Sequence, residues 1–199
     1  MKIVVGLGNP GRTYAETRHN LGFLAVEEFC RRRGLCWGGR ECSSLTARGQ
    51  IAGEALLVGR PQTYMNRSGE AVHCLLELCD AGPSDLLVVC DDAALDLGTL
   101  RVRPSGSDGG HRGLRSVIEW LGTEDFPRLR IGIRTATLAQ GNLAEEVLAP
   151  FLPGEMEAAG EQASRAAECI QIVLERGIRA AMNAFNRRQP TDARESSAG

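Results

Sequence analysis

The run Leu86-Leu-Val-Val-Cys90 has no polar side chain to turn toward water. A strand with one solvated face alternates. One that is apolar at every position must be covered on both faces, as in a sheet with helices packed above and below it. Lys2-Ile-Val-Val-Gly6 is a second such run, β-branched and stopped by glycine. Two doubly buried strands in 199 residues call for an α/β domain.

The remaining segments fit that frame. Leu21 to Arg33 carries an apolar stripe of helical spacing and stops at Gly34. Leu45–Ile51 and Glu54–Arg60 read as strands meeting at Ala52-Gly53, and Gly69–Leu78 as a helix with Ser68 as N-cap. A strand at Leu100–Arg103, a helix at Leu114–Leu121 and a strand at Leu129–Ile133 follow. Met156, Ala159, Ala163, Ala166, Ile170 and Val173 recur at spacings of three and four, an amphipathic helix that Gly177 ends before a short last helix, Ile178 to Phe185. The expected fold is one domain over residues 1–187, a twisted mixed β-sheet covered by α-helices. A disordered tail over 188–199 completes the expectation.

Composition excludes several classes. Apolar residues make up 43% and charged residues 24%, the balance of a folded globular chain rather than a disordered one. No apolar run approaches the ~20 residues of a membrane span, and Met1-Lys2 leads straight into a strand, so a cytoplasmic protein is expected. Seven cysteines, none in a C-x-x-C, and three histidines predict reduced packing thiols with no metal and no cofactor. The net charge of −2 hides an uneven distribution: Gly98–Arg134 is +3 and Glu145–Glu175 is −6. A basic middle segment can meet phosphates locally.

Gly6-x-Gly8-x-x-Gly11 after a strand has the letters of a dinucleotide fingerprint. That motif needs a helix to begin within the glycines, and Arg12–Asn20 has only Tyr14 and Ala15 as apolar residues. The glycines read instead as a tight turn presenting Asn9. In Thr17-Arg-His-Asn-Leu-Gly22, polar neighbours make His19 either a general base or an exposed or capping loop histidine. A base needs a carboxylate to hold its tautomer. Asp91 and Asp92 stand at the carboxyl end of the Leu86–Cys90 run, where open α/β sheets place their ligands, although either could merely cap a turn. Asn66 follows another strand, as an amide donor to substrate or as a turn residue. Ser107–Gly113 is a glycine-rich loop opening a helix, suited to anions, with Arg112 and Arg115 at its start. His73, mid-helix, reads as structural.

Val5-Gly-Leu-Gly-Asn-Pro-Gly11, Tyr14-Ala-Glu-Thr-Arg-His-Asn-Leu-Gly22, Tyr64-Met-Asn66 with Ser68-Gly69, Asp91-Asp92, Gly109-Gly-His-Arg-Gly-Leu114 and Arg128-Leu-Arg-Ile-Gly132 together resemble the bacterial peptidyl-tRNA hydrolase family. The similarity runs in order over about residues 1 to 187. It implies a metal-independent hydrolase cleaving the ester between a peptide, or an N-blocked aminoacyl group, and the 3′ end of tRNA. It assigns His19 as general base, Asp91 as its orienting carboxylate and Asn9 as a catalytic amide. Tyr14, Tyr64, Met65, Asn66, His111 and Arg112 match substrate-side positions, and Arg103 and Arg130 match residues gripping the RNA 5′-phosphate. The implied partner is peptidyl-tRNA, bound by a monomer. One position departs: Arg112 stands where the family usually has asparagine, and arginine accepts no hydrogen bond. That departure favours the other class considered, a non-catalytic RNA-binding relative. Asn9, His19, Asn66 and Asp91, all present, favour the hydrolase.

Overall fold

The sheet is built outward from the two doubly buried strands. In the computed structural model, which describes residues 1–135 and 147–186, β1 (Lys2–Gly6) lies parallel between β4 (Glu54–Pro61) and β5 (Leu86–Asp96). β7 (Arg128–Arg134) adds parallel to β5, and β6 (Leu100–Arg103) pairs antiparallel with β7 at one edge. At the other edge β3 (Ser44–Ile51) and β2 (Trp37–Glu41) extend β4 as antiparallel hairpins. The order is β2-β3-β4-β1-β5-β7-β6, a seven-stranded mixed sheet.

Among the described residues five α-helices cover it. Alternation along β1 and β5 divides the core in two: Val4, Leu87 and Val89 pack on one side with α1 (Leu21–Arg33), α4 (Pro153–Arg176) and α5 (Ile178–Phe185). Ile3, Val5, Leu86, Val88 and Cys90 pack on the other with α2 (Ser68–Leu78) and α3 (Arg112–Leu121). Among the described residues no helix is long and apolar enough to cross a membrane.

The glycine motif serves packing. No helix starts within it; a 3₁₀ turn at Arg12–Tyr14 follows, and α1 begins only at Leu21. A methyl group at Gly22 would lie 2.5 Å from the carbonyl oxygens of Leu7 and Val89, and one at Gly8 would meet the Phe23 ring at 2.7 Å. Bare backbone lets the start of α1 sit directly on the ends of β1 and β5.

Four expectations are modified. β2 was not foreseen, because Trp37-Gly-Gly-Arg-Glu41 is a polar edge strand without an apolar run. β5 continues through Asp91 and Asp92, so both acids lie within the strand. Ser68 is the first residue of α2, its hydroxyl donating back to the Met65 carbonyl at 2.8 Å. Lastly, Cys42 and Cys74 are joined in a disulfide, which corrects the expectation of seven reduced thiols. The β2–β3 turn folds over α2 and brings together residues 32 apart, a proximity no cysteine spacing encodes. The expected tail over 188–199 lies outside the described residues.

Candidate active site

β1 and β5 run side by side, but β1 ends at Gly6, opposite Val89, while β5 runs on to Asp96 flanked by β7. Beyond that point β5 overhangs a cleft of about 730 Å³. Asn9, Tyr14, His19, Tyr64, Met65, Asn66, Asp91, His111, Arg112 and Arg130 all line it. Arg103 does not. It is exposed on β6, with Arg128 as its cross-strand neighbour.

His19 sits in a 3₁₀ turn, Arg18–Asn20, just before α1, and is only 8% exposed, which removes the loop-histidine reading. Both Asp91 carboxylate oxygens lie 2.9 Å from its Nδ1. The carboxylate therefore holds the proton on Nδ1 and leaves the Nε2 lone pair for the cleft. Burial opposes charging of His19, but the charge and hydrogen bond of Asp91 outweigh it and raise the pKa above the usual value, with Arg112 acting the other way. Burial likewise works against Asp91, yet His19 and His111 hold its carboxyl below the usual range. Asp92 bonds within its own strand: it accepts the Ala94 N–H at 2.9 Å and lies 3.1 Å from Arg130 Nε, off the line of that N–H, as an ion pair rather than a hydrogen bond.

His111 has a task the sequence did not disclose. Its Nδ1 accepts the N–H groups of Gly113 and Leu114, both at 3.1 Å, capping α3. The ring proton must then be on Nε2, which donates to Asp91 Oδ1 at 3.0 Å. Asp91 is thus held by two histidines. Potential ligand atoms of His19, Asp91 and His111 lie within 4.8 Å of one another, a spacing that suits a metal ion. The tautomer argues against one: His111 faces the trio with N–H rather than a lone pair, and moving that proton to Nδ1 would set it against two backbone N–H groups.

Asn9 is fixed just as closely. Its Oδ1 accepts the Met65 N–H at 2.8 Å, so its amide NH₂ is left as a donor. Asn20, absent from the expected site residues, grips the Asn9 backbone twice: Oδ1 accepts Asn9 N–H at 2.7 Å, and Nδ2 donates to Asn9 O at 3.0 Å. A polar residue at the threshold of an apolar helix was the available signal. Met65 buries its side chain in the core beside α2 and α3 and contributes its backbone here. Tyr64 stands 60% exposed, Asn66 and Arg112 are exposed, and Tyr14 is half-buried.

The His19 turn is also laced to a distant segment. Phe151 N–H donates to Glu16 O, Arg18 N–H to Ala149 O and His19 N–H to Val147 O, at 3.1, 3.3 and 2.9 Å. Thr17 bridges Pro150, and the buried Arg18 side chain bonds the Pro150 carbonyl, pairs with Glu155 and lies over the Phe151 ring.

Among the described residues, none lining the cleft is a serine, threonine, cysteine or lysine, so it offers none of those side chains as a covalent nucleophile. Sheet and cleft together define a hydrolase that activates water with a histidine–aspartate pair. The family model described as Peptidyl-tRNA hydrolase matches residues 3–193. A protein named peptidyl-tRNA hydrolase from Roseiflexus castenholzii is 46% identical over 191 residues, 96% of this chain and 89% of that one. Its namesake from Chloroflexus aggregans is 44% identical over 187 residues, 94% of this chain and 99% of that one. The crystal structure of peptidyl-tRNA hydrolase from Acinetobacter baumannii matches with a TM-score of 0.85 at 30% identity, covering 96% of both chains. The chain belongs to the peptidyl-tRNA hydrolase family.

Proposed function

We propose that this enzyme hydrolyses the ester joining a peptide, or an N-blocked aminoacyl group, to the 3′-terminal ribose of tRNA. One observation carries the reading: Nδ1 of His19 is committed to Asp91, so Nε2 is left as a base in the cleft that it lines together with Asn9, whose amide is left only to donate. Neutral His19 takes a proton from water, whose oxygen bonds to the ester carbonyl carbon. Asp91 stays ionised and stabilises the imidazolium. Asn9 Nδ2, with the Asn66 amide, donates to the carbonyl oxygen as it becomes an oxyanion; such donors are worth about 3–4 kcal/mol where measured. Collapse breaks the bond to the ribose 3′-oxygen, which recovers the proton from His19.

Tyr14 and Tyr64 flank the terminal nucleotide and peptide in this reading, while Arg103 and Arg130 meet RNA phosphate. The enzyme acts as a cytoplasmic monomer and returns tRNA from prematurely released peptidyl-tRNA to translation. The decisive experiment gives the purified chain N-acetyl-aminoacyl-tRNA beside the unblocked aminoacyl-tRNA. Release of the N-acetyl amino acid with the unblocked ester spared is expected. An untouched N-acetyl ester would sink the reading.

A further inference from the structure

Two arginines line the cleft, and they are not equivalent. Arg130 is paired with Asp92. Arg112 has no acid within ion-pair distance among the described residues, and its side chain is exposed at the first turn of α3. The backbone donors beside it are spent, since Gly113 and Leu114 give their N–H groups to His111. An uncompensated guanidinium therefore shares the cleft with His19, near enough that its charge opposes protonation of that imidazole.

Negative charge develops on oxygen at the reacting carbonyl as the reaction proceeds. The ester carbonyl is neutral, the tetrahedral intermediate is an oxyanion, and the released peptide is a carboxylate. An amide side chain serves all three similarly. A guanidinium gains with each step, because its planar fork matches a carboxylate with two parallel charge-assisted hydrogen bonds.

We propose that Arg112 makes the cleft a carboxylate-binding site, holding the peptide acid that ester hydrolysis releases. This rests on the ester-hydrolase reading above and deepens it. The enzyme would be inhibited by its own acid product, and the affinity resides in a side chain that makes no hydrogen bond or ion pair among the described residues.

Binding without turnover tests it. The full chain is titrated by NMR or calorimetry with N-acetyl-phenylalanine, with its neutral carboxamide, and with adenosine 5′-monophosphate. The acid should bind about tenfold more tightly than the carboxamide, the factor expected of a charge-assisted contact. Arg112→Asn should bring that ratio near one, and Arg112→Lys should keep part of it, with melting temperatures unchanged in both. Equal binding of acid and carboxamide by the parent, or a preference surviving in Arg112→Asn, overturns the proposal. So does a loss confined to the nucleotide arm, which would assign the guanidinium to RNA phosphate. Failure of the hydrolase reading shows separately, as no cleavage of N-acetyl-aminoacyl-tRNA by the parent.

Discussion

Nδ1 of His19 is equidistant, at 2.9 Å, from the two carboxylate oxygens of Asp91. One N–H shared between two acceptors fixes the ring plane against the carboxylate plane, and His111 stops the carboxylate from turning by bonding Oδ1 as well. The base is oriented through an acid that is itself oriented. Asp91→Asn should lower turnover by about 10²- to 10⁴-fold, since an amide can offer N–H to Nδ1 and so stabilise the wrong tautomer. Asp92→Asn, acting on the Ala94 N–H and on Arg130, should cost far less. Rates for the two variants on N-acetyl-aminoacyl-tRNA check this, and equal losses would mean that Asp91 has no special claim.

His19→Ala should remove hydrolysis while leaving RNA affinity near that of the parent. The ring lies at the base of the cleft, 8% exposed, away from the exposed arginine of β6. Filter binding of an uncleavable acyl-tRNA analogue alongside turnover separates the two effects.

The pH profile carries a sign that can be worked out. His19 must be neutral to act, so kcat/KM should rise with pH through a pKa above the ordinary histidine value. The charged groups acting on it are Asp91, which raises the pKa, and Arg112, which lowers it. Arg112→Asn should therefore move the acid limb to higher pH. Asp91→Asn should move the His19 titration, followed by NMR, below the ordinary value, because burial is then unopposed. A limb that stays in place in Arg112→Asn would show that the guanidinium does not act on the base.

Salt should weaken RNA binding despite the overall charge of −2. Two neutralised phosphates give a log–log slope of roughly −1.4 to −1.8, and Arg103→Ala should reduce its size by about 0.7–0.9. Arg103 has no ion pair among the described residues, so its loss exposes no acid. Arg130→Ala leaves Asp92 unpaired within the cleft and should reduce affinity further than one phosphate accounts for.

Thiol titration in denaturant should find five thiols without reductant and seven with it, given the Cys42–Cys74 bond and five free cysteines. Closing a loop over a separation of 32 residues constrains the unfolded chain by about 3–4 kcal/mol in the chain-entropy description. Chemical unfolding with and without reductant measures the difference. Seven reactive thiols without reductant would remove the bond from the structure.

Much of this was legible in residues. β1 and β5 announced themselves because a strand apolar at every position has one place to go, and the register of the two strands then brings Asn9 and Asp91 to one cleft. The choice between Asp91 and Asp92 was not legible by chemistry, since adjacent acids are identical until a strand sends them to opposite faces. Asn20 escaped notice, and His111, matched only to a substrate-side position, kept its second task hidden, for a related reason. Their partners are backbone groups and a carboxylate distant in sequence, and hydrogen bonds of that kind leave no periodicity. β2 stayed hidden because an edge strand with two glycines has no face to bury. The disulfide depended on where a turn lands over a helix.

The lacing of Glu16, Arg18 and His19 to Val147, Ala149 and Phe151 sets an order of events during synthesis. Asn9, Asp91 and His111 are all made before residue 112, and the strands that carry the first two pair with neighbours made by then. The turn bearing His19 has early partners as well, Asp91 at the imidazole and Asn9 at Asn20, but its backbone ladder and the acid that holds Arg18 arrive only with residues 147 to 155. Domains of this size gain structure as the chain emerges at about 5–20 residues per second. A ribosome-bound chain would thus hold the carboxylate, the amide and the imidazole together for several seconds before the turn bearing the imidazole is laced down. The last restraints on the base would be added only as residues 147 to 155 left the exit tunnel.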